Sequence, residues 1–202
     1  KVMVDSQVRV NDVTDRVLQA ALLAVPRERF CAPDRAFAAY AELEVEIAGR
    51  RKLMAAREVS KLLMALDPRP DEQVLAIAAP YAAAVLARMG LKVIAQEDDP
   101  AVLEVVGAVL AEAGVETVQA PFSEPHGEGY DLIVSEAATP VRPDAWIAAL
   151  KPGGRLAVVE RSGPAGKAVL YVRGRDGLSR RELFDASPSV LAELAPLPTF
   201  AL

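Results

Sequence analysis

The chain has 202 residues, a formal net charge of −5 and a hydrophobic content of 52%. This length is enough for one domain with a sizeable core, and the negative charge argues against a nucleic-acid-binding surface. Cys31 and His126 are the only cysteine and the only histidine, which excludes a disulfide framework and a zinc cluster. No apolar run of about 18 residues and no signal-peptide pattern occurs, so we expect a soluble, cytoplasmic protein with no direct membrane insertion.

Short runs of basic residues occur at 50–52 and 173–181. Runs of this length are typical of solvated faces, and we expect them to lie at the surface without binding nucleic acid. Cys31 is expected in the core or in a loop. His126 lies in a glycine-containing segment and is expected at the surface.

The N-terminal part of the chain predicts an arm followed by helices. Valines alternate loosely with polar residues over 1–10, which predicts an extended arm. Asn11 or Asp12 is expected to cap a helix with one apolar stripe, and Pro26 ends that helix. A second helix is expected over 53–66, where apolar residues recur at helical spacing.

From residue 73 onward, short apolar strands alternate with helical segments. This alternation is typical of an α/β fold: a doubly wound, mostly parallel sheet sandwiched by helices, with right-handed crossovers and here an N-terminal helical cap. The strands are expected at 74–78, 92–96, 115–119, 130–135, 155–160 and 169–173, and the helices at 80–89, 100–114 and 143–150.

We expect residues 1–202 to form a single domain with three parts. Residues 1–70 would supply the arm and the helical cap, and residues 71–175 the α/β core. Residues 176–202 contain several prolines and are expected to form an extended C-terminal tail that lies against another surface.

Five segments together carry a family resemblance. They are Val4-Asp-Ser-Gln-Val-Arg, Val25-Pro-Arg-Glu-Arg-Phe, Ala39-Tyr, Tyr130-Asp-Leu-Ile-Val and Leu150-Lys-Pro-Gly-Gly-Arg-Leu. With them, nearly the whole chain resembles the protein-L-isoaspartate O-methyltransferases. The resemblance implies the class I methyltransferase fold, which is Rossmann-like. It also implies transfer of a methyl group from S-adenosylmethionine to the free carboxylate of an isoaspartyl residue.

The cofactor loop of that family is altered in this chain. The family's first strand ends in an acidic residue followed by Gly-x-Gly-x-Gly-Tyr. Here Ala76 replaces the acid, Ala78 and Pro80 replace two glycines, and two residues that carry the third are missing before Tyr81. The added Cβ atoms obstruct a close approach of the backbone, and Pro80 has no N–H to offer a carboxylate. Where the family binds adenine with Gly-Asp, this chain has Ala-Pro, with Pro121 at the aspartate position.

Two contacts of the family's cofactor site remain in the sequence. Glu97, at the end of the second strand, matches the residue that holds the ribose hydroxyls in the family, and Tyr81 is the other candidate. In the substrate loop, Met54 stands at the family's serine and Ala56 at its proline, so a hydroxyl that could orient a carboxylate is lost. Glu136, a strand-end carboxylate, has little to mark it as catalytic, and we predict no catalytic residue and no metal ligand.

These changes favour a catalytically silent member of the family, with no cofactor expected. It would serve as an accessory or stabilising subunit of a larger protein assembly, docked through the N-terminal arm and the C-terminal tail. The alternative is an active S-adenosylmethionine-dependent protein-L-isoaspartate (carboxyl) O-methyltransferase with an altered cofactor loop, which would use Glu97 and Tyr81. A third possibility is another ligand in the remodelled cleft, for which the sequence offers no motif.

Overall fold

The structure is a computed structural model that describes residues 1–196. Its strands are β1 (Val45–Ala48), β2 (Arg51–Leu53), β3 (Gln73–Ile77), β4 (Lys92–Glu97), β5 (Glu116–Gln119), β6 (Tyr130–Thr139), β7 (Leu150–Glu160), β8 (Lys167–Arg173) and β9 (Leu178–Asp185). Its α-helices are α1 (Arg16–Ala24), α2 (Ala56–Leu66), α3 (Pro80–Arg88), α4 (Pro100–Glu112) and α5 (Asp144–Ala149).

A seven-stranded sheet in the order β5-β4-β3-β6-β7-β8-β9 forms the centre of the fold. The first five strands in this order, β5, β4, β3, β6 and β7, are parallel to one another. Strands β8 and β9 continue the sheet as antiparallel strands. Strands β1 and β2 form a separate antiparallel hairpin. The predicted α/β fold with a mostly parallel sheet is confirmed. In such a sheet the carboxyl ends of β3, β4 and β6 meet at one edge, where ligands usually bind.

The sheet separates two apolar cores because successive side chains of a strand point to opposite faces. Val74 and Ala76 of β3 face a core built with α1 to α4. Leu75 and Ile77 face a second core built with α5 and with Phe122 of the loop after β5. Strands buried on both faces explain the near-continuous apolar runs of the sequence.

Helix boundaries in the core follow the proline and glycine positions. Pro80 and Pro100 occupy first-turn positions, where the missing N–H costs nothing. Asp99 caps α4 by accepting a hydrogen bond from the Ala101 N–H at 2.8 Å. Gly90 and Gly114 follow the helix ends with φ of 91° and 76°, a backbone conformation that favours glycine.

The extended arm predicted for residues 1–10 is wrong. The Val4–Val8 segment is a π-helical turn and Arg9–Asn11 a 3-10 turn. Val4 and Val8 lie four residues apart on one side of this turn and are buried in the core, together with Met3. Burial of this valine pair outweighs the preference of valine for extended backbone.

The predicted cap of the first helix is also wrong. Asp15, not Asn11 or Asp12, caps α1, and its carboxylate accepts hydrogen bonds from the N–H groups of Val17 and Leu18 at 2.7 and 3.0 Å. Asn11 instead donates to the carbonyl of Gln7 at 2.8 Å. The helix therefore begins later than the apolar stripe alone suggested.

The C-terminal tail lies on the chain's own domain. Residues 178–185, which the sequence placed in the tail, form the edge strand β9. Beyond it, Ala186 and Leu191 are buried, and Val190 is bridged to Ala138 at the end of β6. Ser189 also bonds to the Glu44 carboxylate through its N–H, at 2.7 Å, and through its hydroxyl, at 2.9 Å. Residues 197–202, the last part of the predicted tail, lie outside the described residues.

Candidate functional site

The turn between β3 and α3 lies at the carboxyl edge of the sheet and is sealed from solvent. Ala78 and Ala79 are 0% and 1% exposed, and Pro80 and Tyr81 are buried as well. Ala78 has a φ of 51°. The turn thus keeps a left-handed residue where the sequence lost a glycine, although its Cβ makes this conformation costly.

The N-terminus of α3 is occupied by a carboxylate of the chain itself. Glu136, in β6, accepts a hydrogen bond from the Ala82 N–H at 2.6 Å through Oε1. A helix N-terminus offers N–H donors and a partial positive charge, which make it a natural site for an anion. Complete burial raises the pKa of Glu136 to about 7. The Ala82 N–H, one of the donors that a bound carboxylate or phosphate could use, is already engaged.

Glu97 is likewise engaged from within the chain. The Arg51 guanidinium, from β2, binds both oxygens of the Glu97 carboxylate at 3.2 Å. The two side chains are 7% and 1% exposed. Burial raises the pKa of Glu97, against the attraction of Arg51. For Arg51, burial lowers the pKa, but attraction to Glu97 outweighs it and leaves that pKa above its ordinary value.

Arg51 is the main functional correction to the sequence analysis. Within the basic run, Arg50 and Lys52 are exposed as expected, but Arg51 is buried. The guanidinium also lies over the ring of Phe122, 5.6 Å from its centroid. The available signal was strand alternation, since Arg51 shares the inward face of β2 with Leu53.

A second buried arginine lies close to α3. Arg27 is fully buried, donates to the carbonyls of Ala39 and Met54, and stacks over the Tyr81 ring at 4.8 Å from its centroid. Burial lowers the pKa of Arg27 and raises that of Tyr81. Arg27 Nη1, Tyr81 Oη and Glu136 Oε2 are buried without a hydrogen-bond partner among the described residues. The Val-Pro-Arg element was recognised in the sequence, but the inward position of its arginine was not.

Two more segments cover the edge of the sheet. Gln96 holds the loop after β5 by donating to the Pro121 carbonyl at 2.8 Å and accepting from the His126 N–H at 2.9 Å. On the other side, Leu191 of the tail is buried in the same apolar core as Ala78. A cavity of about 280 Å³ remains between the β1–β2 turn, Asp98, Asp99 and residues 189–193.

The other predicted positions have structural surroundings. Ala76 is buried in β3, and Pro121 follows β5 in an exposed position. Met54 and Ala56 are buried at the start of α2, and His126 is exposed as expected. Tyr40 donates to the carboxylate of Glu28. Among residues 1–196, no group of three or more side chains could hold a metal ion, and no helix has the length and apolar character needed to cross a membrane.

Comparison with known proteins places this geometry in a family. Residues 2–179 match the model of protein-L-isoaspartate(D-aspartate) O-methyltransferase. A protein-L-isoaspartate O-methyltransferase of Methylorubrum extorquens (strain PA1) is 35% identical over 189 residues, which cover 89% of this chain and 82% of the relative. One of the same name from Methanoregula boonei is 34% identical over 187 residues, which cover 89% of this chain and 85% of the relative. The chain belongs to the protein-L-isoaspartate O-methyltransferase family.

Solved structures confirm the fold of this family member. A structure described as a Plasmodium falciparum protein-L-isoaspartate O-methyltransferase in complex with S-adenosyl-L-homocysteine matches with a TM-score of 0.80 and 13% identity, over 95% of this chain and 97% of that one. A second structure named protein-L-isoaspartate O-methyltransferase matches with a TM-score of 0.73 and 19% identity, over 87% of this chain and 61% of that one. The class I methyltransferase fold implied by the sequence is thereby confirmed.

The described residues do not fit S-adenosylmethionine in this arrangement. The carboxylate expected to hold ribose hydroxyls is bound to Arg51, and the Ala82 N–H is bound to Glu136. Ala76 offers no carboxylate for an ammonium group, and the turn around Ala78 is sealed. The Glu97 carboxylate and the Ala82 N–H, which the fold could present to the cofactor, are thus paired inside the chain, whereas Tyr81 Oη has no hydrogen-bond partner among residues 1–196.

The buried pair yields a stability prediction. Arg51→Ala leaves the buried Glu97 carboxyl group without its partner, and we expect the free energy of unfolding to fall by about 3 kcal/mol in urea denaturation. The matched control is Arg69→Ala, which removes an ion pair with Asp67 whose side chains are 72% and 73% exposed. That variant should change stability little, because solvent screens such pairs. Equal effects of the two substitutions would contradict the buried pair.

Glu136 yields a pH prediction. Its pKa is about 7 in the folded protein against an ordinary value of 4.5, so the folded state binds more protons between these two pH values. The contribution of Glu136 to the free energy of unfolding is therefore complete below pH 4.5 and is lost as the pH rises to about 7. Glu136→Gln keeps an oxygen acceptor for Ala82 and removes the titration. Its stability should fall less than that of the wild type over this range, and identical slopes would show that Glu136 does not titrate there.

Proposed function

We propose that this family member is catalytically silent towards S-adenosylmethionine and acts through its surface, as an accessory or stabilising subunit of a larger assembly. The observation that carries the proposal is the engagement of Glu97 by Arg51 at 3.2 Å. Support also comes from the engagement of the α3 N-terminus by Glu136. A cofactor would have to break both contacts and would gain no carboxylate at Ala76 in return.

The second candidate is an active protein-L-isoaspartate O-methyltransferase. Taken by themselves, the comparisons favour this candidate over the silent one, because relatives that carry this name are up to 35% identical over 89% of this chain. A structural match is also described as a complex with S-adenosyl-L-homocysteine. In this candidate the cofactor is S-adenosylmethionine, and Glu97 and Tyr81 are the contacts that remain for it. Arg51 would have to leave Glu97 before such a ligand could bind.

The first candidate also includes docking through the two chain ends and a cytoplasmic location, both of which were predicted from the sequence. Docking through the two chain ends was predicted for extended segments, but residues 2–11 are helical and the described tail packs on its own domain. Docking through these two segments would therefore have to use the side chains that remain exposed on them. A cytoplasmic location remains a prediction.

Ligand titration separates the two candidates. We expect isothermal titration of the full chain with S-adenosylmethionine and with S-adenosylhomocysteine to show no binding at about 1 mM ligand. We likewise expect no methyl transfer to an isoaspartyl peptide. Binding in the micromolar range together with transfer would establish the active enzyme and refute the silent one.

A variant distinguishes the two physical causes of silence. Arg51→Ser frees Glu97 without adding bulk, so it tests whether the ion pair alone closes the site. We expect the variant to remain unable to bind, because the turn at Ala78 to Pro80 still lacks glycines and an N–H. Recovered binding in this variant would mean that Arg51 is a reversible block on a working site.

The accessory role is tested separately by the size at which the 21.5 kDa chain elutes from native lysate, where elution as a monomer would count against it.

A further inference from the structure

Helix α1 is apolar on the side that faces solvent as well as on the side that faces the core. Leu18, Ala21 and Leu22 are buried, as expected of a helix packed on a domain. On the opposite side, Val17 is 62% and Leu23 47% exposed. At 100° per residue, the exposed positions span an arc of about 120°. They are Arg16, Val17, Ala20, Leu23 and Ala24, and together they are called the α1 outer face below.

A helix that is apolar all round is typically buried on all sides. Single exposed apolar residues need no explanation, but four of the five residues of the α1 outer face are apolar, Arg16 being the exception, and the face adjoins further exposed apolar groups. Val2, for example, is 79% exposed and lines the same groove as Leu23. The composition of α1 therefore indicates a surface that is covered in the working state of the protein.

Three grooves border the α1 outer face. One of about 670 Å³ runs between Ala20, Leu23 and the preceding turn at Val13. Another of about 280 Å³ lies between Leu23, Val2 and Tyr40. The third, of about 310 Å³, extends from Ala24 towards α3 and α4. Ridges beside grooves of this size suit the side chains of a docked helix.

The charges around these grooves have the opposite sign to the chain as a whole. The residues that line the three grooves include five basic residues and one acidic residue, namely Lys1, Arg9, Arg16, Arg29 and Arg88 against Glu112. The whole chain, in contrast, has 23 basic and 28 acidic residues. Arg9 and Arg29 are already ion-paired, with Asp5 and Glu112. Arg16 and Arg88 make no ion pair within residues 1–196, so their charges remain available to a partner. Of the nearby carboxylates, Asp5 binds Arg9 and Asp15 caps α1.

We propose that the α1 outer face and its three grooves form a docking surface for an amphipathic helix of a partner protein, with an apolar stripe flanked by acidic residues. A second copy of this chain fits less well, because a twofold pairing would bring the basic residues that line these grooves, Arg16 and Arg88 among them, against the same basic surface of the other copy. An anionic membrane also fits less well, because the face is grooved and the chain has a net charge of −5. This inference goes beyond the proposed function and holds whether or not the chain binds a cofactor.

The test uses the full chain and two designed helical peptides that share one leucine and alanine stripe. One peptide carries glutamates beside the stripe and the other carries lysines, and binding is followed by fluorescence anisotropy. We expect the glutamate peptide to bind at least about tenfold more tightly, with an affinity that falls as salt is raised. Equal affinities, a preference for the lysine peptide, or no binding of either peptide would overturn the proposal.

Matched variants locate the binding. Leu23→Glu should weaken binding of the glutamate peptide by about tenfold or more, whereas Leu178→Glu, at a leucine of β9 that is 37% exposed, should leave it unchanged. Because Leu23 has a partly packed neighbourhood, Arg16→Glu provides an independent, fully surface-directed variant, with Arg181→Glu as its control. Equal losses in test and control variants would overturn the location. Two further results would assign the face to another occupant and also overturn the proposal. One is a dimer of the wild-type chain in sedimentation that Leu23→Glu abolishes. The other is binding of the wild-type chain to anionic vesicles that Leu23→Glu abolishes.

Discussion

The buried pair of Arg51 and Glu97 connects parts of the chain that are far apart in sequence. Arg51 belongs to the small β1–β2 hairpin and Glu97 to the central sheet. An unpaired charge in this interior would cost several kcal/mol, so each residue requires the other to be present. The pair holds the hairpin over the carboxyl edge of the sheet. It also places the guanidinium against Phe122, whose carbonyl accepts the indole N–H of Trp146 at 2.7 Å.

Two polar groups at the ligand edge, Glu97 and the N-terminus of α3, bind partners inside the chain, whereas Arg27 Nη1, Tyr81 Oη and Glu136 Oε2 have no hydrogen-bond partner among residues 1–196. A parallel α/β sheet necessarily ends in a helix N-terminus and in strand-end carboxylates at one edge. In this protein Glu136 accepts a hydrogen bond at the N-terminus of α3, and Arg51 binds the strand-end carboxylate of Glu97. The tail then covers the edge, since Leu191 donates to the Ala138 carbonyl at 2.8 Å and is buried. The result is a methyltransferase fold whose ligand edge is partly filled by its own residues, with a cavity of about 280 Å³ left beside Arg51, Asp98 and Asp99.

The central fold could be predicted from the sequence because its signals are local. Alternating strand and helix periods, with Pro80, Pro100, Gly90 and Gly114 at the boundaries, gave the core elements to within a few residues. Strand β9 was not predicted from the sequence because it is an edge strand whose residues are largely polar and exposed. It therefore lacks the alternation of apolar and polar residues that indicates a strand. The N-terminal helical turn was not predicted because local sequence favours extended backbone for its valines. Their spacing of four residues becomes significant only once Val4 and Val8 are seen to be buried in the core.

The sequence predicted which groups of the family's cofactor site are missing from this chain. It did not predict which side chains of the chain lie at the site. The altered turn at Ala76 to Pro80 could be read directly against the family's glycine pattern. The roles of Arg51, Arg27 and Glu136 could not, because each depends on a partner that is between 27 and 54 residues away in the chain. A basic run gives no indication of which arginine points inward until its strand register is known.

The central claim, that Arg51 occupies the Glu97 carboxylate, can be measured directly by arginine-selective ¹⁵N–¹H NMR of the side chains, with the Arg51 signal assigned by its loss in Arg51→Lys. A buried, doubly hydrogen-bonded guanidinium exchanges its protons slowly and rotates slowly. We therefore expect a protected Arg51 signal that persists at neutral pH and disappears when Glu97 is changed to Gln. An Arg51 signal averaged like those of exposed arginines, and unaffected by Glu97→Gln, would contradict the account.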